Sequence, residues 1–222
     1  MKSNKKFLIT IDGPAGAGKT TVSKMLARKL GYNYIDTGAL YRGIAYEVFK
    51  KNITAEDEKN LKKICENINL EFKNVGEEQY LFSDNKDIEP FIRTEEISML
   101  ASAVSAKPFV RKALLKLQRD LGSKKCAVFE GRDMGTVVFP NADIKFFLEA
   151  SVEERVARRY KQLANTSEQS LEDIKNQIIK RDRNDSQRKL APLKPAEDAI
   201  IIDSTKMSAE EVIEFMISFI FG

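Results

Sequence analysis

The chain contains one run that limits its fold more than any other, Gly13-Pro14-Ala15-Gly16-Ala17-Gly18-Lys19-Thr20, which matches the pattern G-x-x-x-x-G-K-[ST]. Glycines at these positions let backbone N–H groups turn inward around phosphate oxygens, and a helix that begins near Lys19 directs its positive end to the same place. Lys19 is then expected to reach the β- and γ-phosphates, and Thr20 to be a ligand for Mg²⁺. With Thr21, the run predicts a nucleoside-triphosphate site, but the motif alone does not separate kinases from GTPases, motors or transporter subunits.

The sequence around this motif predicts an α/β fold. The apolar run Phe7–Ile11 precedes it as a buried strand, and the apolar residues from Val22 to Leu30 recur at helical spacing until Gly31 ends the helix. Four more apolar runs predict buried strands: Tyr34–Asp36, Cys126–Phe129, Ile144–Leu148 and Ala199–Ile202. Helices are predicted at Leu40–Phe49, after Thr94, from Pro108 to Gly122, and after the capping residues Ser151, Ser170 and Ser208. Strands that alternate with helices predict a five-stranded parallel sheet, doubly wound and flanked by helices.

The pattern of predicted helices and strands changes between about residues 51 and 107. Thr54 with Asp57 resembles a capping box before a helix that extends through Ile64. Short β-like runs follow, separated by turn-rich segments: Leu70–Phe72, Tyr80–Phe82 and Ile88–Ile92. Strands without helices between them predict a small antiparallel insert beside the alternating core.

Composition excludes several kinds of chemistry. The chain has no histidine, which removes imidazole bases, Ser-His and Cys-His nucleophiles and histidine-bound metals. Cys65 and Cys126 fit no metal or redox spacing, so both are expected to be reduced thiols in a reducing compartment.

Charge and hydropathy indicate which partners are expected. The net charge of +4 is mild, and the sequence lacks the clustered lysines and arginines that are typical of a nucleic-acid binder. The apolar run Phe7–Ile11 is too short for a signal peptide or a membrane span, and we expect a cytoplasmic protein without membrane partners.

Features beyond the P-loop favour a kinase of small acceptors. The N-K-x-D motif that a GTPase needs is absent from the sequence. A small-acceptor kinase needs positive charge for a second phosphate, an acceptor site and a lid that excludes water. Planar guanidinium groups suit the phosphate, and three arginines in the first two thirds of the chain are candidates: Arg42, Arg111 and Arg132. Two predicted helices joined by the polar loop Asn165–Gln169 carry further arginines and would form the lid: Arg155, Arg158, Arg159, Arg181, Arg183 and Arg188.

Longer motifs occur in order along nearly the whole chain and resemble those of bacterial cytidylate kinases, of the type that has an extra insert in the monophosphate-binding region. These enzymes are nucleoside monophosphate kinases and belong to the P-loop proteins. The resemblance rests on Ile11–Thr20, Asp36–Arg42, Ala101–Val104, Pro108, Val110-Arg111, Glu130–Pro140, Arg181-Asp182, Asp185, Arg188, Ala191–Leu193 and Asp203–Thr205. The run Glu130–Pro140 is the most specific of these. Two features depart from the family pattern: Thr37 stands where serine is frequent, and Ser186-Gln187 lies in a stretch that is often more basic.

The resemblance implies an activity and a role for each matching residue. ATP, with Mg²⁺, would donate its γ-phosphoryl group to CMP or dCMP. Thr37, Arg42 and Arg132 would hold the acceptor's monophosphate, and Ser102, Arg111 and Asp133 would recognise the base. Arg181, Asp185 and Arg188 would close over the sugar and the transferring phosphoryl group. The catalytic set would be Lys19, Arg132, Arg181 and Arg188.

Several points stay open at the level of sequence. Asp12 or Glu130 could orient waters on Mg²⁺, or both could be strand-end acids that accept hydrogen bonds from the backbone. Another small-acceptor kinase and a P-loop regulatory or nucleic-acid-binding module are the competing functions, and the latter predicts hydrolysis without an acceptor and salt-sensitive polynucleotide binding. We expect a monomer with one P-loop kinase domain. Its predicted parts are a core (about 1–50, 108–150 and 190–222), a monophosphate-binding insert (about 51–107) and a helical lid (about 151–189).

Overall fold

The computed structural model describes residues 6–76, 78–163 and 169–222. Within these ranges the chain forms two compact units. The first unit contains the residues up to Ile35 together with Gly122–Gly222, and the second contains Asp36–Leu121. The predicted division of the chain into core, insert and lid remains a prediction. No helix in the described ranges combines the length and the apolar composition needed to cross a bilayer.

The strands are, in chain order, β1 (Leu8–Asp12), β2 (Asn33–Asp36), β3 (Leu70–Val75), β4 (Glu78–Ser83), β5 (Lys86–Asp87), β6 (Ala127–Gly131), β7 (Ile144–Glu149) and β8 (Ile200–Asp203). The α-helices are α1 (Lys19–Leu30), α2 (Thr37–Lys50), α3 (Glu58–Asn67), α4 (Glu95–Ser105), α5 (Pro108–Gly122), α6 (Val152–Leu163), α7 (Leu171–Gln187) and α8 (Ala209–Phe221). A short π-helix, Met134–Val138, follows β6.

The main sheet has five strands in the order β2-β6-β1-β7-β8. Strand β1 runs parallel to both β6 and β7, and β7 runs parallel to β8, which confirms the predicted parallel sheet. All five residues of β1 are buried, since this strand lies at the centre of the sheet. Parallel strands bring their carboxyl ends to one edge, where ligands bind in this class of fold. The P-loop follows β1 at this edge, and Arg132 follows β6.

Local signals fix several helix ends as predicted. Gly31 takes a left-handed φ of 69° and ends α1. Capping boxes at Ser170 and Ser208 begin α7 and α8, where each serine and the acidic residue three positions later bond to each other's backbone N–H groups. Ser151 Oγ accepts from Glu154 N at 3.2 Å at the start of α6.

The second unit contains an antiparallel sheet in the order β3-β4-β5, as predicted, but its third strand was placed wrongly at Ile88–Ile92. Asp84 and Asn85 have positive φ values of 47° and 64°, so they form a tight two-residue hairpin and pairing resumes at once with Lys86 opposite Ser83. Ile88 and Ile92 are buried in the core of this unit. Their apolar character reflects core packing and not strand periodicity.

The predicted cap of α3 was also wrong in one residue. Asp57 is the N-cap, its carboxylate accepts from Asn60 N at 3.1 Å, and the helix begins at Glu58. Thr54 lies three residues before that cap and is exposed. An aspartate directly before the first helical residue provides the cap whether or not a threonine precedes it.

This assignment predicts different costs for two neighbouring substitutions. Asp57→Ala should lower the free energy of unfolding by about 1 kcal/mol, because the first turn of α3 loses its side-chain acceptor. The matched change Thr54→Ala should alter it by less than about 0.5 kcal/mol. Urea denaturation of both variants measures these free energies. A larger loss of stability for Thr54→Ala than for Asp57→Ala would contradict the observed cap and support the capping box that was predicted from the sequence.

Candidate active site

The P-loop joins the end of β1 to the start of α1, and its shape depends on glycine at two positions. A Cβ atom on Gly13 would lie 2.0 Å from the backbone oxygen of Leu148, so no larger residue fits there. Gly16 has a φ of 77°, and a Cβ atom there would meet Arg155 Cβ at 3.1 Å. Because α1 begins at Lys19, its free N–H groups and the positive end of its dipole face the loop. The local geometry suits an anion.

Lys19 is buried, and its Nζ donates to the Pro14 carbonyl at 2.6 Å. Burial lowers the pKa of Lys19 well below its usual value. The positive charges of Arg132 and Arg181 lower this pKa further, against the opposing effect of Glu130 and Asp12. Three cations therefore influence one another at the P-loop, and a bound polyphosphate would add negative charge beside them.

Glu130, near the end of β6, lies beside the P-loop hydroxyl. Thr20 Oγ1 and the Tyr34 hydroxyl each donate to Glu130 Oε1 at 2.9 Å. Hydroxyl and carboxylate oxygens are ligands that Mg²⁺ prefers, and this ion commonly takes only one or two from the protein, with waters and substrate phosphates completing its shell. Thr20 and Glu130 therefore fit a magnesium ion. Among the described residues, no group of three or more acidic or cysteine side chains is placed to hold a metal.

Asp12, the last residue of β1, is committed to the backbone. Its two carboxylate oxygens accept from Met134 N at 2.9 Å and from Gly135 N at 2.8 Å, the first two residues of the π-helix. Burial raises the pKa of Asp12 to about 6, although both backbone bonds favour the ionised form. Asp12 therefore makes the backbone hydrogen bonds of a strand-end acid, one of the two roles left open by the sequence.

The residues after β6 make two crossed ion pairs with the end of α7. Arg132 Nε donates to Asp185 Oδ2 at 3.0 Å, and Arg188 Nη2 lies 3.5 Å from Asp133 Oδ1. Arg188 Nε also donates to the Ala191 carbonyl at 2.6 Å, which fixes the turn after the helix. Four of the predicted site residues thus contact one another in pairs. A fifth, Arg181 of α7, is near enough to lower the pKa of Lys19.

In the second unit, Thr37 is the first residue of α2, and Arg42 lies in the second turn of this helix. Asp36 caps this helix by accepting from Ala39 N at 3.0 Å, and Arg42 Nη2 donates to Asp36 Oδ2 at 2.7 Å. Burial would raise the pKa of Asp36, but the charges of Arg42 and Arg93 and the hydrogen bonds to its carboxylate outweigh burial and lower it. A helix N-terminus beside a guanidinium group is a suitable place for an anion.

Ser102 of α4 and Arg111 of α5 lie in the same unit. The Arg111 guanidinium lies over the Tyr41 ring, 5.6 Å from its centroid, and Nη1 donates to the Ser105 carbonyl at 3.3 Å. The Ser102 hydroxyl is buried and has no hydrogen-bond partner within the described part of the chain. Such a hydroxyl is a candidate for bonding a polar ligand group. The sequence analysis named Ser102 and Arg111 as site residues but gave no role to Tyr41, although Tyr41 lies within the matching run Asp36–Arg42.

The predicted site residues therefore divide between the two units. The first contains the P-loop residues Gly13–Thr21 together with Arg132, Asp133, Arg181, Asp185 and Arg188, and the second contains Thr37, Arg42, Ser102 and Arg111. The predicted lid loop Asn165–Gln169 lies outside the described residues, except for Gln169. Tyr34 was missed, because a tyrosine in a short strand carries no local sign of a carboxylate partner 96 residues away.

A glycine-rich loop at the carboxyl end of the central strand, with a buried lysine and a hydroxyl at the start of the next helix, defines a P-loop nucleotide-binding protein. A family model described as cytidylate kinase matches residues 9–221. The chain belongs to the cytidylate kinase family, a family of nucleoside monophosphate kinases.

Individual relatives agree with this membership. A cytidylate kinase of Geobacter sp. (strain M21) is 47% identical over 210 residues, which cover 94% of this chain and 90% of that protein. A cytidylate kinase of Caldicellulosiruptor bescii is 46% identical over 211 residues, covering 95% and 93%. The crystal structure of an uncharacterized protein from Eubacterium ventriosum is similar in fold alone, with a TM-score of 0.54 and 13% identity over 97% of this chain and 98% of that one.

The raised pKa of Asp12 predicts how stability changes with pH. Because the pKa in the folded chain, about 6, exceeds the usual 3.8, the folded chain keeps a proton that the unfolded chain releases between these values. The stability that this proton provides is complete below about pH 4 and is lost as the pH rises to about 6, a change of at most about 3 kcal/mol.

Asp12→Asn removes this titration and isolates it. The free energy of unfolding of the wild type minus that of the variant should fall between pH 4 and pH 6.5 and then stay level. Urea denaturation of both proteins across this range gives the difference directly. A difference that is constant, or that increases with pH, would contradict a raised pKa at Asp12.

Proposed function

We propose that this chain transfers the γ-phosphoryl group of ATP to CMP or dCMP, giving ADP and CDP or dCDP, as a step of pyrimidine nucleotide metabolism. The observation that carries the proposal is a buried P-loop lysine in a chain that matches the cytidylate kinase family from residue 9 to residue 221. The relatives named above are cytidylate kinases, and at 46–47% identity they align with at least 94% of this chain.

The donor site is assigned to the P-loop residues from Gly13 to Thr21. Backbone N–H groups and the start of α1 bind the phosphates, and Lys19 stabilises the negative charge that spreads over the transferring group. Thr20 and Glu130 are the residues that would hold Mg²⁺. When bound, this ion neutralises phosphate charge and aligns the phosphate groups.

The acceptor roles are assigned residue by residue. In the second unit, Thr37 and Arg42 hold the monophosphate while Ser102 and Arg111 recognise the base. In the first unit, Arg132 contributes to the phosphate and Asp133 to the base. These roles are supported by the buried Ser102 hydroxyl, which has no hydrogen-bond partner within the described residues, and by the bond from the Arg42 guanidinium to Asp36, the N-cap residue of α2.

The chemistry needs positioning and charge more than a strong base. A monophosphate oxygen is already ionised at neutral pH, so it is a nucleophile without deprotonation, and the chain contains no histidine. Arg132, Arg181 and Arg188 act with Lys19 on the transition state, while Asp185 orients Arg132. Helices α6 and α7 exclude water from the transferring group.

We further propose that the protein is a cytoplasmic monomer, without nucleic-acid or membrane partners.

The role of Lys19 predicts a large loss of turnover. Lys19→Ala should lower kcat by on the order of 100-fold or more, because a charge that stabilises the transition state is lost. The fold should survive, since only a carbonyl contact is removed. Lys29→Ala, on the exposed face of the same helix, is the matched control and should be unchanged. Near-normal turnover of Lys19→Ala, measured by coupled ADP detection, would exclude the P-loop as the donor site.

Base recognition by Asp133 predicts a change in acceptor choice. A carboxylate accepts from the N4 amino group of cytosine but opposes the O4 oxygen of uracil, whereas an amide can donate to O4. Asp133→Asn should therefore narrow the ratio of kcat/KM for CMP over UMP, mostly through loss with CMP. If the two acceptors lose activity in parallel, Asp133 only positions Arg188, its ion-pair partner, and does not recognise the base.

A further inference from the structure

Both backbone groups of Ala15, in the P-loop, are bonded to side chains of the two helices predicted as the lid. Ala15 N donates to Asp182 Oδ1 of α7 at 3.1 Å. The Ala15 carbonyl accepts from Arg155 Nη1 of α6 at 2.9 Å. In this structure the Ala15 N–H is therefore directed at a side-chain carboxylate.

Arg155 and Asp182 also bond to each other, with Nη1 donating to Oδ2 at 2.5 Å. Arg155 Nε donates to the Ala150 carbonyl, just before α6, at 3.0 Å. The residue is 5% exposed, and its backbone oxygen would lie 3.2 Å from a Cβ atom on Gly16. This guanidinium group therefore forms a buried contact between the P-loop and α6.

The bond between Ala15 N and Asp182 lies next to the Pro14 carbonyl, which accepts a hydrogen bond from Lys19. Lys19 Nζ donates to the carbonyl of Pro14, which is directly bonded to the nitrogen of Ala15. The peptide group between Pro14 and Ala15 is therefore held at its N–H by Asp182 and contacts Lys19 at its oxygen. A rotation of this peptide group would move the acceptor of Lys19, and it would also break the bond to Asp182.

We propose that Arg155 and Asp182 are positioning residues for the phosphoryl donor. They hold the peptide backbone around Ala15 from outside the loop, and they thereby fix Lys19 and the phosphate-binding N–H groups without touching the nucleotide. The same face of α7 carries Asp185, which bonds to Arg132. This inference rests on the proposed function, in which the P-loop binds ATP.

The test compares donor and acceptor kinetics in Asp182→Ala, Arg155→Met and the double variant. Each single variant should raise KM for ATP about tenfold or more and lower kcat, because the loop loses its preorganised shape. KM for CMP at saturating ATP should change less than about twofold. The double variant should lose no more than the worse single variant, because the two residues act as a unit. Glu172→Ala and Lys161→Met, exposed on the same two helices, are the matched controls.

Conservative variants keep the test valid if a truncated protein fails to fold. Asp182→Asn retains an oxygen for Ala15 N–H but no charge for Arg155, so its KM for ATP should be intermediate. Arg155→Lys keeps the charge but cannot make the same set of bonds to Ala150, Ala15 and Asp182. It should resemble Arg155→Met in KM for ATP.

Three outcomes would overturn the inference. They are an unchanged KM for ATP, equal effects on ATP and CMP, or losses in the two single variants that simply add in the double variant. In each case the pair only supports the fold, and thermal denaturation would record the cost as a lowered Tm. Lys19→Ala separates this failure from failure of the proposed function. If Lys19→Ala is inactive while Asp182→Ala and Arg155→Lys bind ATP normally in calorimetry, the donor site stands and only the positioning role is excluded.

Discussion

A loop of backbone N–H groups has to stay open between the first strand and the helix that follows it, and much of the first unit is arranged around this requirement. Strand β7 passes so close that Gly13 has no space for a side chain. Helix α1 starts at Lys19, which orients its free N–H groups toward the loop. Arg155 and Asp182 bond to Ala15 from the other side. Ala17 of the loop is also buried in the hydrophobic core of this unit, so both side-chain packing and these bonds stabilise the loop.

Several charged side chains around the loop have partners within the protein. Asp12 is bonded to the π-helix, and Asp185 is bonded to Arg132. Lys19 is buried, and its Nζ donates to the neutral carbonyl of Pro14. Burial and the charges of Arg132 and Arg181 lower the pKa of Lys19, against the opposing effect of Glu130 and Asp12. A buried cation is costly without a counter-charge, and a triphosphate would provide one. The electrostatic arrangement and the backbone geometry thus favour the same kind of ligand.

Sequence patterns predicted the features that depend on a few neighbouring residues. The P-loop, the capping boxes at Ser170 and Ser208 and the stop at Gly31 are local, since each is formed by residues within a few positions of one another. The strand predicted at Ile88–Ile92 was wrong because Ile88 and Ile92, which are buried on either side of a turn, give this segment the apolar character of a strand. The π-helix at Met134–Val138 depends on Asp12, 122 residues earlier, and the bond from Ala15 to Asp182 spans 167 residues. No pattern along the chain indicates such partners, because the fold alone brings them together.

This chain phosphorylates a cytosine nucleotide at the expense of ATP. Steady-state kinetics with CMP, dCMP, UMP, AMP and GMP as acceptors, with ADP formation as the readout, measure this activity and its selectivity together. We expect kcat/KM for CMP and dCMP to exceed that for the two purine monophosphates by about 100-fold or more, and we expect little ADP to form without an acceptor. A purine monophosphate as the best acceptor, or ADP formation at the same rate without any acceptor, would contradict it.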